Sequence, residues 1–192
     1  MKKIILFGAG GHANSVIDVI ENTKKFKILF LVDTFNGQLG KYKVLKENTN
    51  LNYYKKFSKN VIVTIGQIKS SLIREKLYKK LKNHNFNFPI IISPKAHVSK
   101  SSKISEGTIV MHHALLNSNC KIKENCIINT KALIEHDVTI NKNTHISTGA
   151  IINGGCTINK NCFIGSNATL IQNITIKAFS VIGAGKIIKK NI

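Results

Sequence analysis

Glu135-His136-Asp137 is the stretch of this chain best equipped for proton transfer. An imidazole beside a carboxylate has its tautomer fixed and its basicity raised, as a general base working near neutral pH requires. Eighteen and nineteen residues after the histidine stand Gly154 and Gly155, whose missing side chains would leave room beside the ring and whose amides would meet a thioester oxygen. An ordinary exposed histidine on a turn is the competing reading, and spacing alone supports the two equally. A second signal lies near the N-terminus, where Gly8-Ala9-Gly10-Gly11-His12 follows the apolar run Ile4–Phe7 and precedes helical spacing at Val16, Ile17 and Ile20. Glycines at a helix N-terminus expose amides to an anion. Asp33, closing the apolar run Ile28–Val32, is placed to accept from a ribose or a base. The turn reads G-x-G-G-H and falls short of the full dinucleotide fingerprint, so a plain strand-to-helix turn remains the alternative.

The elements that must position the histidine follow from a count of six. An aliphatic residue falls at every sixth position from Val98 to Ile188, and small or β-branched residues such as Ala132, Val138 and Thr144 run two positions ahead of it. Six fits neither the 3.6-residue period of a helix nor a long alternating strand. It fits a strand of about three residues, with positions i−2 and i inward and i−1 outward, followed by a tight turn rich in Asn, Lys, Gly and Asp. Three hexads close a triangular coil of 18 residues, so residue n stacks under n+18 at roughly 4.8 Å. The expected architecture is a parallel β-helix of about five coils, in which the coils share one core. His136 and Asp137 then occupy an outer corner one coil below Gly154, and His145 lies outward on a flat face.

Ahead of the helix, the strand–glycine turn–helix–strand opening, the runs Val61–Ile65 and Phe88–Ile92, and an amphipathic helix over 70–81 predict a small α/β domain. That helix would carry Leu72, Ile73, Leu77 and Leu81 on its inner side and Arg74, Lys76 and Lys79 elsewhere. Residues 34–60 read as loop and weak helix. Pro89 and Pro94 flank the passage into the ladder, giving domains 1–92 (nucleotide-binding, Rossmann-like) and 93–192 (β-helix), without a long linker.

Composition narrows the function. A net charge of +20 from 29 Lys+Arg against 9 Asp+Glu invites a nucleic-acid reading. The lysines are scattered, however, without aromatic interleaving or a recognition motif, and suit anionic nucleotides or CoA phosphates instead. No stretch approaches the roughly 20 apolar residues of a membrane span, and no signal-peptide pattern is visible, so a cytoplasmic protein is expected. All four cysteines fall at the inward small position. Cys120 and Cys156 are two coils apart, as are Cys126 and Cys162, roughly 9.6 Å by stacking, too far for disulfides and better read as core. The zinc site of γ-class carbonic anhydrases, built on a similar helix, needs two histidines five residues apart. Here His113, His136 and His145 are separated by 23 and 9, so no metal is expected. His84, His97, His112 and His113 are assigned no role.

FGAGGHA at the start, VTIG in the middle of the first domain, INTKALIEHDVTI, HISTGAIINGG and FIGSNATLIQN together resemble the bacterial sialic acid O-acetyltransferase and UDP-4-amino-sugar N-acetyltransferase group over nearly the whole chain. The resemblance implies a left-handed β-helix, a homotrimer, and acetyl-CoA bound along the groove between subunits. It further implies acetyl transfer to the amine of a UDP-linked 4-amino sugar in surface glycan biosynthesis, with O-acetylation of a sialic-type sugar as the alternative. By position, His136 matches the catalytic base, Asp137 its orienting acid, and Asn129 and His145 the lining of the acetyl and sugar pocket. Gly154 and Ala184 match backbone contacts to acetyl-CoA, while Gly8, Gly10, Gly11, His12 and Asp33, closed by Gly66, match the nucleotide-sugar loop. Two departures stand out: Gln67 where many relatives carry Asp or Asn, and an ending at Lys189-Lys190-Asn191-Ile192 without the G-x-P-A-K-like tail, which leaves CoA fewer contacts unless the chain continues. A non-catalytic nucleotide-sugar-binding scaffold is the reading from another class.

Overall fold

The structure, a computed structural model, describes residues 1–192. The chain divides into two compact units, residues 1–66 with 72–89, and residues 67–71 with 90–192. No helix is long and apolar enough to cross a membrane.

The first unit is built on the strands β1 (Lys2–Phe7), β2 (Phe26–Asp33), β3 (Gly37–Leu39), β4 (Tyr42–Lys46) and β5 (Val61–Val63), in the order β3-β4-β2-β1-β5. All neighbours are parallel except the β3–β4 hairpin. This hairpin fills much of the segment expected to be loop; its strands are short and mostly exposed, so no alternating apolar pattern announces them. Between β1 and β2 runs helix α1 (Gly11–Thr23), which buries Ala13, Val16, Val19 and Ile20. A one-turn helix, α2 (Asn52–Lys55), follows β4, and α3 (Leu72–Asn83) follows β5. The order places β1 between β2 and β5, so the crevice of such a sheet opens beyond the carboxyl ends of these strands, next to Gly8.

Helix α3 departs from its expected orientation. Leu72 and Ile73 are 63 % and 71 % exposed, whereas Arg74, Tyr78 and Leu81 are buried. The guanidinium decides this: Arg74 Nη1 donates to the carbonyls of Val63 (2.6 Å) and Ile65 (2.9 Å), satisfying acceptors that the end of β5 leaves open. Polarity assigned by periodicity alone puts such an arginine in water.

The second unit is a parallel β-helix of two-residue strands from β6 (Ile91–Ile92) to β22 (Ile187–Ile188), arranged in three sheets of six, six and five strands. The expected Phe88–Ile92 strand is therefore split: Phe88 belongs to the aromatic core of the first unit, and Ile91–Ile92 pairs with Ile109–Val110 as the first rung. Each strand pairs with the one 18 residues on, as in Leu133–Ile134 with Ile151–Ile152. Both inward registers are buried along the length of the helix, including the four free cysteines, and only end residues such as Ala96, Val98, Ile104 and Ile188 are partly exposed.

The corners explain the turn composition. Every sixth residue from Gly107 to Gly185 has φ between 55° and 71°, and all are Asn or Gly except His113, Lys131, Asp137 and Phe179. Left-handed backbone costs roughly 1–2 kcal/mol for an ordinary side chain and least for Gly, Asn and Asp. Along one edge the asparagines also stitch coils together, Asn125 donating to Asn143 (2.9 Å) and Asn143 to Asn161 (3.3 Å). At the far end Ile192 N–H donates to Thr175 O (3.1 Å) and Lys177 N–H to Ile192 O (2.6 Å), so the last residues lie along the exposed edge of the five-stranded sheet.

Candidate functional site

In the second unit, β13 (Leu133–Ile134) turns through Glu135-His136-Asp137 into β14 (Thr139–Ile140). The His136 and Asp137 side chains are 62 % and 57 % exposed, and His136 Nδ1 lies 2.9 Å from Asp137 Oδ2. Asp137 occupies a left-handed corner position (φ 61°), and its other oxygen accepts from Asn119 Nδ2, one coil below, at 3.2 Å. These two hydrogen bonds, His136 first, hold the Asp137 carboxyl below its ordinary range. A carboxylate on Nδ1 fixes the proton there and leaves Nε2 as the acceptor.

What Nε2 faces is decided by Gly154. A Cβ built there would sit 2.6 Å from His136 Cε1 and 2.7 Å from Nε2, which no side chain could occupy with the ring in place. Gly155 N–H is committed to the His136 carbonyl (3.0 Å), so the donor left at this step is the amide of Gly154. Glu135, Asn153, Gln172 and Asn173 complete a cleft of about 600 Å³ around the pair. Glu135, held by Asn117 Nδ2 at 2.9 Å, brings a further acid that the register did not single out.

The remaining residues matched to the acetyl site lie elsewhere on the same prism. His145 is not an open surface residue: it is 6 % exposed, stands edge-on to Phe163 with ring centroids 5.3 Å apart, and both ring nitrogens are engaged. Nδ1–H donates to Gln67 O at 2.5 Å, so Nε2 accepts from Asn129 Nδ2 at 3.1 Å. Thr130 N–H, donating to Asn129 Oδ1 at 2.8 Å, sets the amide that way round. Gln67 in turn donates to Cys162 O at 3.0 Å, which ties segment 67–71 to the helix. Nothing in the period of six could have announced the His145–Gln67 contact, because it joins the ladder to a segment 78 positions away that does not share the period. Ala184 sits where Gly165 lets backbone approach backbone; a Cβ on Gly165 would lie 2.5 Å from Ala184 N. Asn129 and Ala184 thus mark the corner before one face, and His136, Asp137 and Gly154 the corner after it.

In the first unit, Gly8 (φ 113°) ends β1. Its N–H donates to Val32 O at 2.8 Å, and a Cβ there would meet Ile65 at 2.7–2.8 Å, so only glycine fits. Gly10 caps α1 without a side chain and Gly11 begins it, and a Cβ at either would meet nothing within 4 Å, which leaves the helix N-terminus open to an anion. Gly66 packs near His12 Cβ (3.4 Å from its own virtual Cβ). Asp33 differs from expectation in its commitments. Oδ2 accepts from Ala9 N–H at 2.6 Å, and Oδ1 from Thr34 N–H at 2.7 Å and Thr34 Oγ1–H at 3.2 Å. It braces the glycine turn first. A slot of about 400 Å³ opens beside it, lined by Phe7, Val32 and Ile65 from the sheet side and by Ile73, Leu77, Lys76 and Lys80 from α3, with Glu47 after β4. The α3 residues and Glu47 were not foreseen; the apolar exposure of Ile73 is a signal only once the helix has been oriented.

Comparison with known proteins matches residues 3–81 to the PglD N-terminal domain and residues 137–172 to the bacterial transferase hexapeptide (six repeats). Among solved structures, perosamine N-acetyltransferase (PerB) from Caulobacter crescentus, in complex with CoA and GDP-perosamine, is 27% identical with a TM-score of 0.93, covering 100% of this chain and 91% of that one. The acetyltransferase domain of PglB from Neisseria gonorrhoeae FA1090 is 28% identical with a TM-score of 0.91, covering 100% and 93%; the same domain has also been solved with acetyl coenzyme A. WeeI from Acinetobacter baumannii AYE, 21% identical with a TM-score of 0.79, shares the fold. Carrying a PglD N-terminal domain and hexapeptide repeats on one chain, and matching PerB and the PglB acetyltransferase domain along its whole length, the chain is similar in both parts to the hexapeptide-repeat sugar acetyltransferases.

Proposed function

We propose that the protein transfers the acetyl group of acetyl-CoA to the amine of a nucleotide-linked amino sugar, with His136 as the general base. The observation that carries this is the His136–Gly154 step: an acid-supported imidazole whose free nitrogen faces a space that any side chain at 154 would fill. His136 Nε2 takes the proton released as the acceptor nitrogen attacks the thioester carbonyl, Asp137 holds the ring and offsets the positive charge formed on it, and the Gly154 amide donates to the carbonyl oxygen as it becomes an oxyanion. Collapse expels the CoA thiolate, which leaves as the thiol once protonated. No acyl-enzyme is needed, since no nucleophilic Ser or Cys lines the cleft.

The glycine turn and the slot beside Asp33 fit a nucleoside diphosphate as the handle of the acceptor. The resemblance suggests uridine as its base, whereas PerB was crystallised with a GDP sugar. An amine as acceptor agrees with the perosamine N-acetyltransferase among the neighbours; an O-acetylated acceptor is the outcome to exclude. Acetyl-CoA as co-substrate and buried free thiols suit the cytoplasm. The two halves of the acetyl site stand on opposite edges of one face, and that face carries Leu115, Leu133 and Ile151 outward and half-buried. A homotrimer that joins the His136 edge of one copy to the Asn129–Ala184 edge of the next completes the site.

The test is thiol release from acetyl-CoA with amino-sugar and hydroxyl-sugar acceptors. His136→Ala should lower kcat by about 10²–10⁴ while CoA binding by calorimetry stays near wild type; unchanged turnover rejects the assignment. Turnover only with a hydroxyl acceptor replaces N- by O-acetylation.

A further inference from the structure

The slot in the first unit has two ends with different chemistry. At one end Gly8 lines it, where the turn leads to Gly10 and Gly11, whose open backbone at the helix start suits the diphosphate. At the other, Lys80 Nζ stands 2.7 Å from Glu47 Oε1, the two side chains 45 % and 37 % exposed. Between them, Phe7, Val32 and Ile65 on one side and Ile73 and Leu77 on the other form apolar walls suited to a flat ring. Asp33, the carboxylate that the sequence offers to the nucleoside, has both oxygens occupied by Ala9 and Thr34. Glu47 is the other carboxylate of the lining. Its backbone is fixed by Glu47 N–H donating to Asp33 O at 2.7 Å, and Oε1 is the oxygen paired with Lys80.

We infer that Glu47 and Lys80 read the hydrogen-bonding edge of the nucleobase and favour guanine over uracil. This rests on the nucleotide-sugar reading above and on the hydrogen-bonding edges of the bases. Guanine presents the acceptor O6 beside two donors, N1–H and N2–H. Lys80 donates to O6, and the two oxygens of Glu47 accept from N1–H and N2–H, a charge-assisted bidentate contact. Uracil presents acceptor, donor, acceptor, so it satisfies Lys80 and one Glu47 oxygen but sets its O2 against the other. Adenine sets the ring acceptor N1 against the carboxylate and leaves Lys80 facing a donor.

Calorimetric titration of the full chain with GDP, UDP and ADP at one ionic strength tests this without any need for turnover. GDP should bind about 10–100-fold more tightly than UDP, the range of one good bidentate base contact, with ADP weakest. Glu47→Gln places an amide donor against guanine's donors and should cut the GDP-to-UDP ratio about tenfold or more; Lys80→Met should weaken GDP and UDP alike. Both variants should keep the thermal midpoint of the parent, because an exposed ion pair contributes little to stability. UDP binding as tight as GDP, or an unchanged ratio in Glu47→Gln, overturns the inference while leaving acetyl transfer to a uridine-linked sugar standing. Guanine preference without acetyl transfer to any GDP-linked amine would sustain the inference and sink the catalytic reading. Absence of binding by all three nucleotides overturns both.

Discussion

His136 owes its setting to two neighbours that the repeat had already placed. Asp137 stands at the corner position where the helix mostly puts Asn or Gly, and its link to Asn119 has the form of the asparagine ladder on another edge. A carboxylate in place of the amide keeps the stitch and adds an acceptor for Nδ1. The depressed Asp137 pKa means that its charge is present above the ordinary carboxylate range and is lost only as pH falls through the lowered value. Between about pH 5 and 8 it is constant, so an acid limb of kcat/KM there belongs to another group. Asp137→Asn should therefore lower kcat about tenfold or more through the lost support of the ring, yet retain that limb; its disappearance would assign the proton transfer to Asp137 itself. Gly154→Ala probes the other neighbour. Alanine strains no left-handed backbone there, but its Cβ drives the imidazole aside. The expected result is a loss of about 10²-fold in kcat, the scale of a misplaced catalytic group, with the thermal midpoint little changed. Full activity in that variant would show that the ring does not work in the position seen.

At the scale of elements, each unit sets its site by where strands stop. In the first, β1 and β5 end together, and the turn between β1 and α1 is held by Gly8 N–H on Val32 O, Thr64 Oγ1–H on Gly8 O (2.5 Å) and Asp33 on Ala9. Arg74 secures the end of β5 from α3. Arg74→Met, which keeps bulk but removes the donors, leaves the Val63 and Ile65 carbonyls unpaired under a helix. A loss of about 2–4 kcal/mol in urea unfolding is expected. Retained stability would mean that water replaces the guanidinium there. In the second unit, two-residue strands are possible because each is paired above and below and each contributes two inward side chains to a common core.

For the whole molecule, the face between the two site-bearing edges carries the row Leu115, Leu133 and Ile151, while the five-stranded face presents Lys103, Lys121, Thr139, Thr157 and Thr175 outward. In the proposed trimer the apolar face meets the next subunit and the polar one faces water. Leu133→Glu places a carboxylate in the middle of the apolar row without touching the inward core. Sedimentation should show a trimer for the parent and monomers for the variant. Turnover should fall with assembly if the proposed trimer shares the acetyl site between copies. A monomeric parent with full activity would refute the shared site.

The hexad ladder, the inward cysteines, the outer corner of His136 and its alignment under Gly154 were all legible in the sequence, because a period of 18 fixes both facing and stacking. The glycine turn was equally legible, since only glycine tolerates the Gly8 backbone and its approach to Ile65. Tertiary structure alone decided the rest. It turned Arg74 inward and Ile73 outward, because open carbonyls at the end of β5 outweigh helical periodicity. It made the segment starting at Gln67 part of the β-helix and buried His145 beneath it. It brought Glu47 to Lys80 across 33 residues at the mouth of the slot. These contacts join segments of unrelated period, and pairing between such segments is set by the shape of the folded chain, which local spacing does not encode.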